Sequence, residues 1–273
     1  MSDDRRFYKM TGSGNDFVCL DGREHRLEDW SRERIQAVCD RRQGVGADGV
    51  VHLAALPDGA IAMVYFNADG SRAEMCGNAA LCTTRLAVFL GLARPDRVEL
   101  ETDSGRLDSR CVGPGWAAEL RFPAVDAPAP IGLAPAPGER RLFQGTVGVP
   151  HTVILVDDVA RAPVETRGRS LRFAAEFAPA GTNVNFVGPV RSEDASWALR
   201  TYERGVEAET LACGTGTVAT ALALAAAGLA DLPIRLQSGS GCVYSVSAQL
   251  EAGRATDVWL CGEGRLVFTG TLI

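Results

Sequence analysis

No Cys-x-x-Cys and no His-x-x-x-His pair occurs in these 273 residues, and His25, His52 and His151 lie far apart. Structural zinc needs ligands clustered at such spacings, so no metal is expected. Basic blocks are missing too. With a formal net charge of −6, nucleic acid and anionic membranes are poor candidates for partners. The opening Met1-Ser2-Asp3-Asp4-Arg5-Arg6 carries no apolar run of the secretory kind. The longest apolar run, 218–230, is interrupted by Thr220 and Gly228 and is too short to cross a bilayer. Eight cysteines in such a chain are expected to be reduced thiols of a cytoplasmic protein rather than a disulfide framework. Six of them, Cys19, Cys39, Cys82, Cys111, Cys242 and Cys261, stand in apolar or strand-like settings, where cysteine behaves as a small hydrophobe.

What is present is an ordinary globular balance, 46% hydrophobic and 23% charged, enough for a sizeable core. The length suits one large domain or two of ordinary size. The remaining two cysteines form the most informative pattern in the chain. Met75-Cys76-Gly77-Asn78 and Ala212-Cys213-Gly214-Thr215 each place a cysteine at the mouth of an alanine-rich run that reads as a helix. Asn67 opens the loop before Cys76 and Glu203 opens the loop before Cys213. Downstream, Thr102-Asp103-Ser104-Gly105 answers Gln237-Ser238-Gly239-Ser240-Gly241. Upstream, Asn15 precedes Cys76 by 61 residues and His151 precedes Cys213 by 62, which pairs those two positions. Four landmarks in register point to an internal repeat and two similar domains.

The first half alternates apolar stretches with turn signals. Strands are expected at 17–20, 49–53, 60–66, 98–102 and 116–122, a helix from about 27–30 to 41, and a buried helix over 77–90. Five prolines between Phe122 and Gly138 give the only linker-like composition. The second half repeats the plan, with strands at 153–156, 184–187 and 197–202, a helix over 214–227, and strands near Ile234, Val243 and Val258. The segment 264–270 has no partner in the first repeat and is expected to return to the first domain as a strand. The class expected is α+β: two pseudo-symmetric domains, each a mostly antiparallel, barrel-like sheet around a central helix. The expected domains are 1–124 with 262–273, and 125–261, with the active site in the cleft between them.

The first turn of a helix leaves N–H groups unpaired and carries partial positive charge. A cysteine there has its thiolate favoured, and a carboxylate ligand is welcomed by the same donors. An unperturbed thiol is only about 3% ionised at pH 7, so this help matters. If both helices face one cleft, Gly77, Asn78, Gly214 and Thr215 surround one carboxylate and hold an α-amino acid between two sulfurs. Removal of the α-proton on one face and its return on the other inverts the centre. The carbanion charge runs into the carboxylate, so no pyridoxal cofactor is needed.

At these residues the chain resembles the diaminopimelate epimerase family along its length. The carriers are Lys9-Met10-Thr11-Gly12-Ser13-Gly14-Asn15-Asp16-Phe17, then Phe66-Asn67-Ala68-Asp69-Gly70-Ser71 leading to Cys76-Gly77-Asn78. Tyr202-Glu203-Arg204-Gly205 leading to Thr210-Leu211-Ala212-Cys213-Gly214-Thr215-Gly216 completes the set. The resemblance implies cofactor-independent interconversion of LL- and meso-diaminopimelate. It implies Cys76 and Cys213 as the acid/base pair, with His151 and Glu203 tuning them. Glu203 and the Arg204 carbonyl hold the reacting amino group, while Asn15, Asn67, Asn183 and the Arg204 side chain grip the distal end. Gly77, Asn78, Gly214 and Thr215 bind the reacting carboxylate. It also implies a homodimer. Three departures from the family pattern stand out: Val149 replaces a substrate-contacting asparagine, Gly49 replaces a glutamine found in some members, and Phe268 replaces a tyrosine linked to dimer contacts.

Other readings are weaker. Gly214-Thr215-Gly216-Thr217-Val218-Ala219 matches the dinucleotide pattern GxGxxA, but a charged loop rather than a strand precedes it, and the helix that follows is alanine and leucine to Ala230. A same-fold racemase acting on histidine or proline is the nearest enzymatic alternative, and proline-racemase-like sequences usually carry histidine where Asn78 stands. A duplicated binding module with helix-capping cysteines, and a thiol-redox protein, are the others. Asp48 and Asp69, each beside glycine, read as turn formers. Of Asn183 and Asn185, two apart on one strand face, Asn183 is the expected ligand.

Overall fold

The structure is a computed structural model that describes residues 5–190 and 192–273. By its internal contacts the chain divides into two compact units, Met1–Arg121 with Cys261–Ile273, and Phe122–Leu260.

In the first unit β1 (Arg5–Gly12) turns tightly into β2 (Asn15–Asp21). Helix α1 (Arg32–Cys39) follows, then β3 (Gly49–Ala55), β4 (Ile61–Asn67), β5 (Arg72–Ala73) and α2 (Gly77–Phe89). Strands β6 (Val98–Thr102), β7 (Gly105–Val112) and β8 (Ala117–Phe122) complete the run. β2 and β3 pair in parallel, as do β4 and β6; the hairpins and β3–β4 are antiparallel.

The second unit begins with two short strands in the proline-rich stretch, β9 (Val125–Asp126) and β10 (Ala129–Pro130). Then come β11 (Glu139–Val147), β12 (Val149–Val156), α3 (Val164–Arg172), β13 (Asn183–Pro189), β14 (Trp197–Glu203) and β15 (Ala208–Thr210). α4 (Gly214–Ala226), β16 (Ile234–Gln237), β17 (Val243–Glu251) and most of β18 (Arg254–Glu263) complete the unit, and β19 (Arg265–Leu272) belongs to the first unit. The ladder repeats that of the first unit: β11–β12 antiparallel, β12–β13 parallel, β13–β14 and β14–β15 antiparallel, β14–β16 parallel, β16–β17 antiparallel. β19 pairs with β1 along its length. The α+β class and the mostly antiparallel sheets match the expectation.

Helices α2 and α4 are largely apolar and buried on most sides. Strands surround each: β1, β3, β4, β6, β7 and β19 pack on α2, and β11, β12, β13, β16 and β17 pack on α4. β2 is buried from Phe17 to Asp21 because α2 covers one face and Phe7, Trp30 and Ile35 cover the other. Both central helices stop in the same way. Leu92 N–H reaches the Ala87 carbonyl and Leu229 N–H reaches the Leu224 carbonyl, each one residue past a glycine at positive φ, Gly91 and Gly228.

Some elements differ from the sequence expectation. The helix read over about 27–41 is a single 3₁₀ turn, Leu27–Asp29, followed by α1, whose cap Ser31 accepts the Arg34 N–H at 3.3 Å. A Ser cap in mid-segment restarts the helix, and it stops at Cys39 where Asp40 leaves helical geometry. α3 went unread because its sequence is rich in arginine; only Val164, Gly168 and Leu171 are buried, on the side facing β13 and β14. β11, whose burial pattern is irregular, also went unread.

Candidate active site

Cys76 and Cys213 are the N-cap residues of α2 and α4. Their backbones are extended (φ −139° and −131°), and neither helix start receives a side-chain cap. The first helical bonds run from Ala80 N–H to the Cys76 carbonyl and from Thr217 N–H to the Cys213 carbonyl, both at 2.9 Å. The amide groups of the intervening residues therefore lie outside the helical ladder at each end. Gly77 packs toward Leu120 and Gly214 toward Leu260, matching leucines in the two units. Thr215 Oγ1 lies 3.6 Å from Cys213 Sγ.

In the first unit the structure joins Asn15, Asn78 and Asp48. Asn15 Nδ2 donates to Asp48 Oδ2 at 2.9 Å, which turns its Oδ1 toward Asn78 Nδ2 at 2.7 Å. Asp48 also accepts the Asp16 N–H at 3.2 Å, and Arg41 bridges Asp16 and Asp48 at 2.7 Å to each. Lys9 donates to Asp16 at 2.6 Å and to the Gly46 carbonyl. Burial pushes the Asp16 carboxyl up, but Arg41 and Lys9 outweigh it and hold it down at about 2. Asp48 is thus the anchor of Asn15, a role that its reading as a turn former missed. Asp69 does form the turn expected of it, accepting the Ser71 N–H at 2.8 Å. Asn67 stands apart from the Asn15 chain and donates instead to Ser71 Oγ at 3.1 Å.

In the second unit His151 is fully buried. Burial, reinforced by the charge of Arg204, pushes its imidazole down to about 4, so the ring is neutral at pH 7. Asn185 Nδ2 lies 3.2 Å from His151 Nδ1 and donates to the Thr152 carbonyl at 3.1 Å, while Asn185 Oδ1 accepts from Thr201 at 3.0 Å. Asn183 Oδ1 accepts the Arg204 N–H at 2.8 Å, and Arg204 Nη1 donates to the Ala180 carbonyl at 3.2 Å. Glu203 accepts from Thr210 at 2.7 Å; burial raises its carboxyl and the Thr210 hydroxyl opposes it in part. Cys213 and the Asn185 amide meet at Gly216, where an added Cβ would collide with Asn185 Oδ1 and come within 3.2 Å of Cys213 Sγ.

Register shows which positions correspond. Phe17 pairs with Gly49 as His151 pairs with Asn183, and Val51 pairs with Tyr65 as Asn185 pairs with Thr201. The counterpart of His151 is therefore Phe17, not Asn15, whose counterpart is Val149. The near-equal spacing to the cysteines misled because the loops differ in length. The polar set His151, Asn185 and Thr201 corresponds to Phe17, Val51 and Tyr65, so the units share a frame and differ in chemistry. The hydroxyl turns do correspond: Thr102 and Ser104 lie 3.0 Å apart, Ser238 and Ser240 2.8 Å. Asn185 and Thr210 were missed as site-building residues, although strand alternation already put Asn185 on the Asn183 face.

Burial acts on four of the other thiols. It raises the thiols of Cys19 and Cys82, pushes Cys39 up to about 11, and raises Cys261.

Comparison with solved structures places the fold in a class of two-unit α+β proteins. A phenazine biosynthesis protein of the PhzF family from Bacillus anthracis matches with a TM-score of 0.74 at 14% identity, over 98% of each chain. A probable proline racemase from Agrobacterium radiobacter matches with 0.62 at 18%, over 98% of this chain and 92% of its own. Within that class the chain belongs to the diaminopimelate epimerase family, whose sequence model, described as Diaminopimelate epimerase, matches residues 7–118 and 143–253. It is similar to the diaminopimelate epimerase of Gemmatimonas aurantiaca, 42% identical over 97% of this chain and 98% of that one. The enzyme of that name from Aquifex aeolicus is 39% identical over 97% of each.

Proposed function

We propose that the chain is an isomerase that interconverts LL- and meso-diaminopimelate without an organic cofactor, using Cys76 and Cys213 as the two acid/base groups. One thiolate takes the α-proton. The electron pair left behind spreads into the substrate carboxylate, and the opposite thiol delivers its own proton to the other face. The observation that carries this reading is the repeated device. Two helices open at an uncapped cysteine in an identical strand frame, in a chain whose family is diaminopimelate epimerase.

The remaining residues divide by chemistry. Amide groups at Gly77, Asn78, Gly214 and Thr215 receive the reacting carboxylate, where fixed dipoles offset the developing charge without reorganisation. Neutral His151 adds no charge near Cys213, and Glu203 with the Arg204 carbonyl receives the reacting ammonium. Asn15, Asn67, Asn183 and the Arg204 side chain recognise the distal end. Val149 and Gly49 contribute no polar atom to that end.

No helix among the described residues is long and apolar enough to cross a membrane. A cytoplasmic location and a homodimer complete the proposal. The half-exposed Val267 and Phe268 on β19 offer apolar surface for the dimer, with Phe268 packed edge-on to Phe7 at 6.0 Å.

The test is chiral separation of products from LL-diaminopimelate, histidine and proline, each incubated with the purified protein. Formation of the meso isomer, and inversion of neither other amino acid, is expected. Preferential inversion of histidine or proline would contradict the substrate assignment and leave the mechanism standing.

A further inference from the structure

Tyr65 is the one member of the Phe17, Val51, Tyr65 set that carries a polar atom, and its hydroxyl is unused by the fold. The residue is 8% exposed, and the hydroxyl makes no hydrogen bond among the described residues. Its ring is fixed on two sides. Phe17 meets it edge-on with centroids 5.9 Å apart, and a Cβ on Gly49 would lie 2.6 Å from its Cε2 and 3.1 Å from its Oη. The hydroxyl therefore occupies the space from which a residue-49 side chain would start.

That space faces the polar residues of the first unit. Gly49 is the direct cross-strand partner of Asn67, and Tyr65, two residues before Asn67 on β4, shares its face of the strand. Gly49 also follows Asp48, which anchors Asn15. Its counterpart in the second unit, Asn183, points the same way and binds the Arg204 amide. A polar group is present at this register position in one unit by a residue's own side chain and in the other by a neighbour's hydroxyl.

We propose that Tyr65 is a substrate-contacting specificity residue: its hydroxyl, seated over Gly49, donates a hydrogen bond to the distal carboxylate of the substrate. The proposal rests on the reading of the chain as an epimerase of diaminopimelate, which carries that second carboxylate. Burial, then the negative charges of Cys76 and Asp48, push the Tyr65 phenol well above its ordinary value. The group is a protonated donor across the working pH range, suited to a carboxylate acceptor. The hydroxyl keeps contact with solvent in the empty protein, so a substrate oxygen can reach it and take the place of water.

The experiment is steady-state kinetics of Tyr65→Phe beside the unaltered protein with LL-diaminopimelate, together with thermal unfolding of both. Phenylalanine keeps the ring against Phe17 and Gly49 and removes only the hydroxyl. KM should rise about tenfold with kcat changed by less than about twofold, as for one lost hydrogen bond to a charged acceptor made equally in ground and transition states. An unchanged KM, or a fall in kcat alone, overturns the proposal. A shift in unfolding temperature with kinetics unchanged also overturns it, since the hydroxyl would then serve only the fold. Absence of turnover by the unaltered protein would instead sink the epimerase reading, and Tyr65 with it, before the variant is compared.

Discussion

Asn185 holds His151 by an amide whose hydrogen-bonding capacity is used on both ends. Its Nδ2 serves the imidazole Nδ1 at 3.2 Å and the Thr152 carbonyl at 3.1 Å, and its Oδ1 accepts from Thr201. The Thr152 carbonyl, which can only accept, fixes which end of the amide is nitrogen, so His151 Nδ1 is the acceptor and Nε2 carries the proton. Among the described residues no side chain or backbone group meets Nε2 at hydrogen-bond geometry, although the Val147 backbone acts on the ring and opposes part of the burial effect. A neutral ring, held in one tautomer, stands in the unit that carries Cys213.

This arrangement sets a pH dependence of stability. The imidazole is depressed from 6.5 to about 4 in the folded protein. Between those values the unfolded chain binds a proton that the folded one refuses, so stability falls as pH drops from about 6.5 to 4. The loss is roughly 3 kcal/mol once pH is below both values. Glu203, whose carboxyl is raised, contributes with the opposite sign above its ordinary 4.5, so the histidine contribution is read as a difference. Urea unfolding of the unaltered protein and of His151→Gln across this range should show a shallower slope for the variant. Equal slopes would mean that the ring is protonated in the folded state.

Gly216 is where the Cys213 thiol and the Asn185 amide share space, so Gly216→Ala should disturb both. An added methyl group has to displace Asn185 Oδ1 or the sulfur. We expect a stability loss of about 1–3 kcal/mol from overpacking. Turnover should fall by about tenfold or more, because a small displacement of a reacting group is amplified in rate. Calorimetry with initial-rate kinetics checks both parts. Unimpaired turnover would show that the sulfur can yield without consequence.

The central helices were legible in the sequence because each is a long alanine- and leucine-rich apolar run without proline, and glycines mark their ends. The repeat was legible too, since the Cys-Gly landmarks keep spacing over a long stretch. The pairing of Asn15 with His151 failed for a physical reason. Spacing counts residues, whereas strand register counts hydrogen-bonded partners, and loops of unequal length separate the two. α3 and β11 were illegible because each buries only part of one face and exposes arginines on the rest. The candidate site residues Asn15, Asn78, Asn183 and Glu203 come from motifs. Asp48 and Asn185, which hold Asn15 and His151 in place, came only from the hydrogen-bond geometry, because an aspartate beside glycine has a common local use as a turn former.

The two-thiol account meets its most direct test in α-proton exchange. LL-diaminopimelate is turned over in deuterated water by the unaltered protein, by Cys76→Ala and by Cys213→Ala, and early product and recovered substrate are weighed by mass spectrometry. With a separate acid on each face, product from the unaltered protein carries deuterium at the inverted carbon while recovered substrate stays protonated. Each alanine variant should lose inversion by about a thousandfold or more. Product that keeps the substrate's own proton, or inversion that survives the loss of either sulfur, would contradict the account.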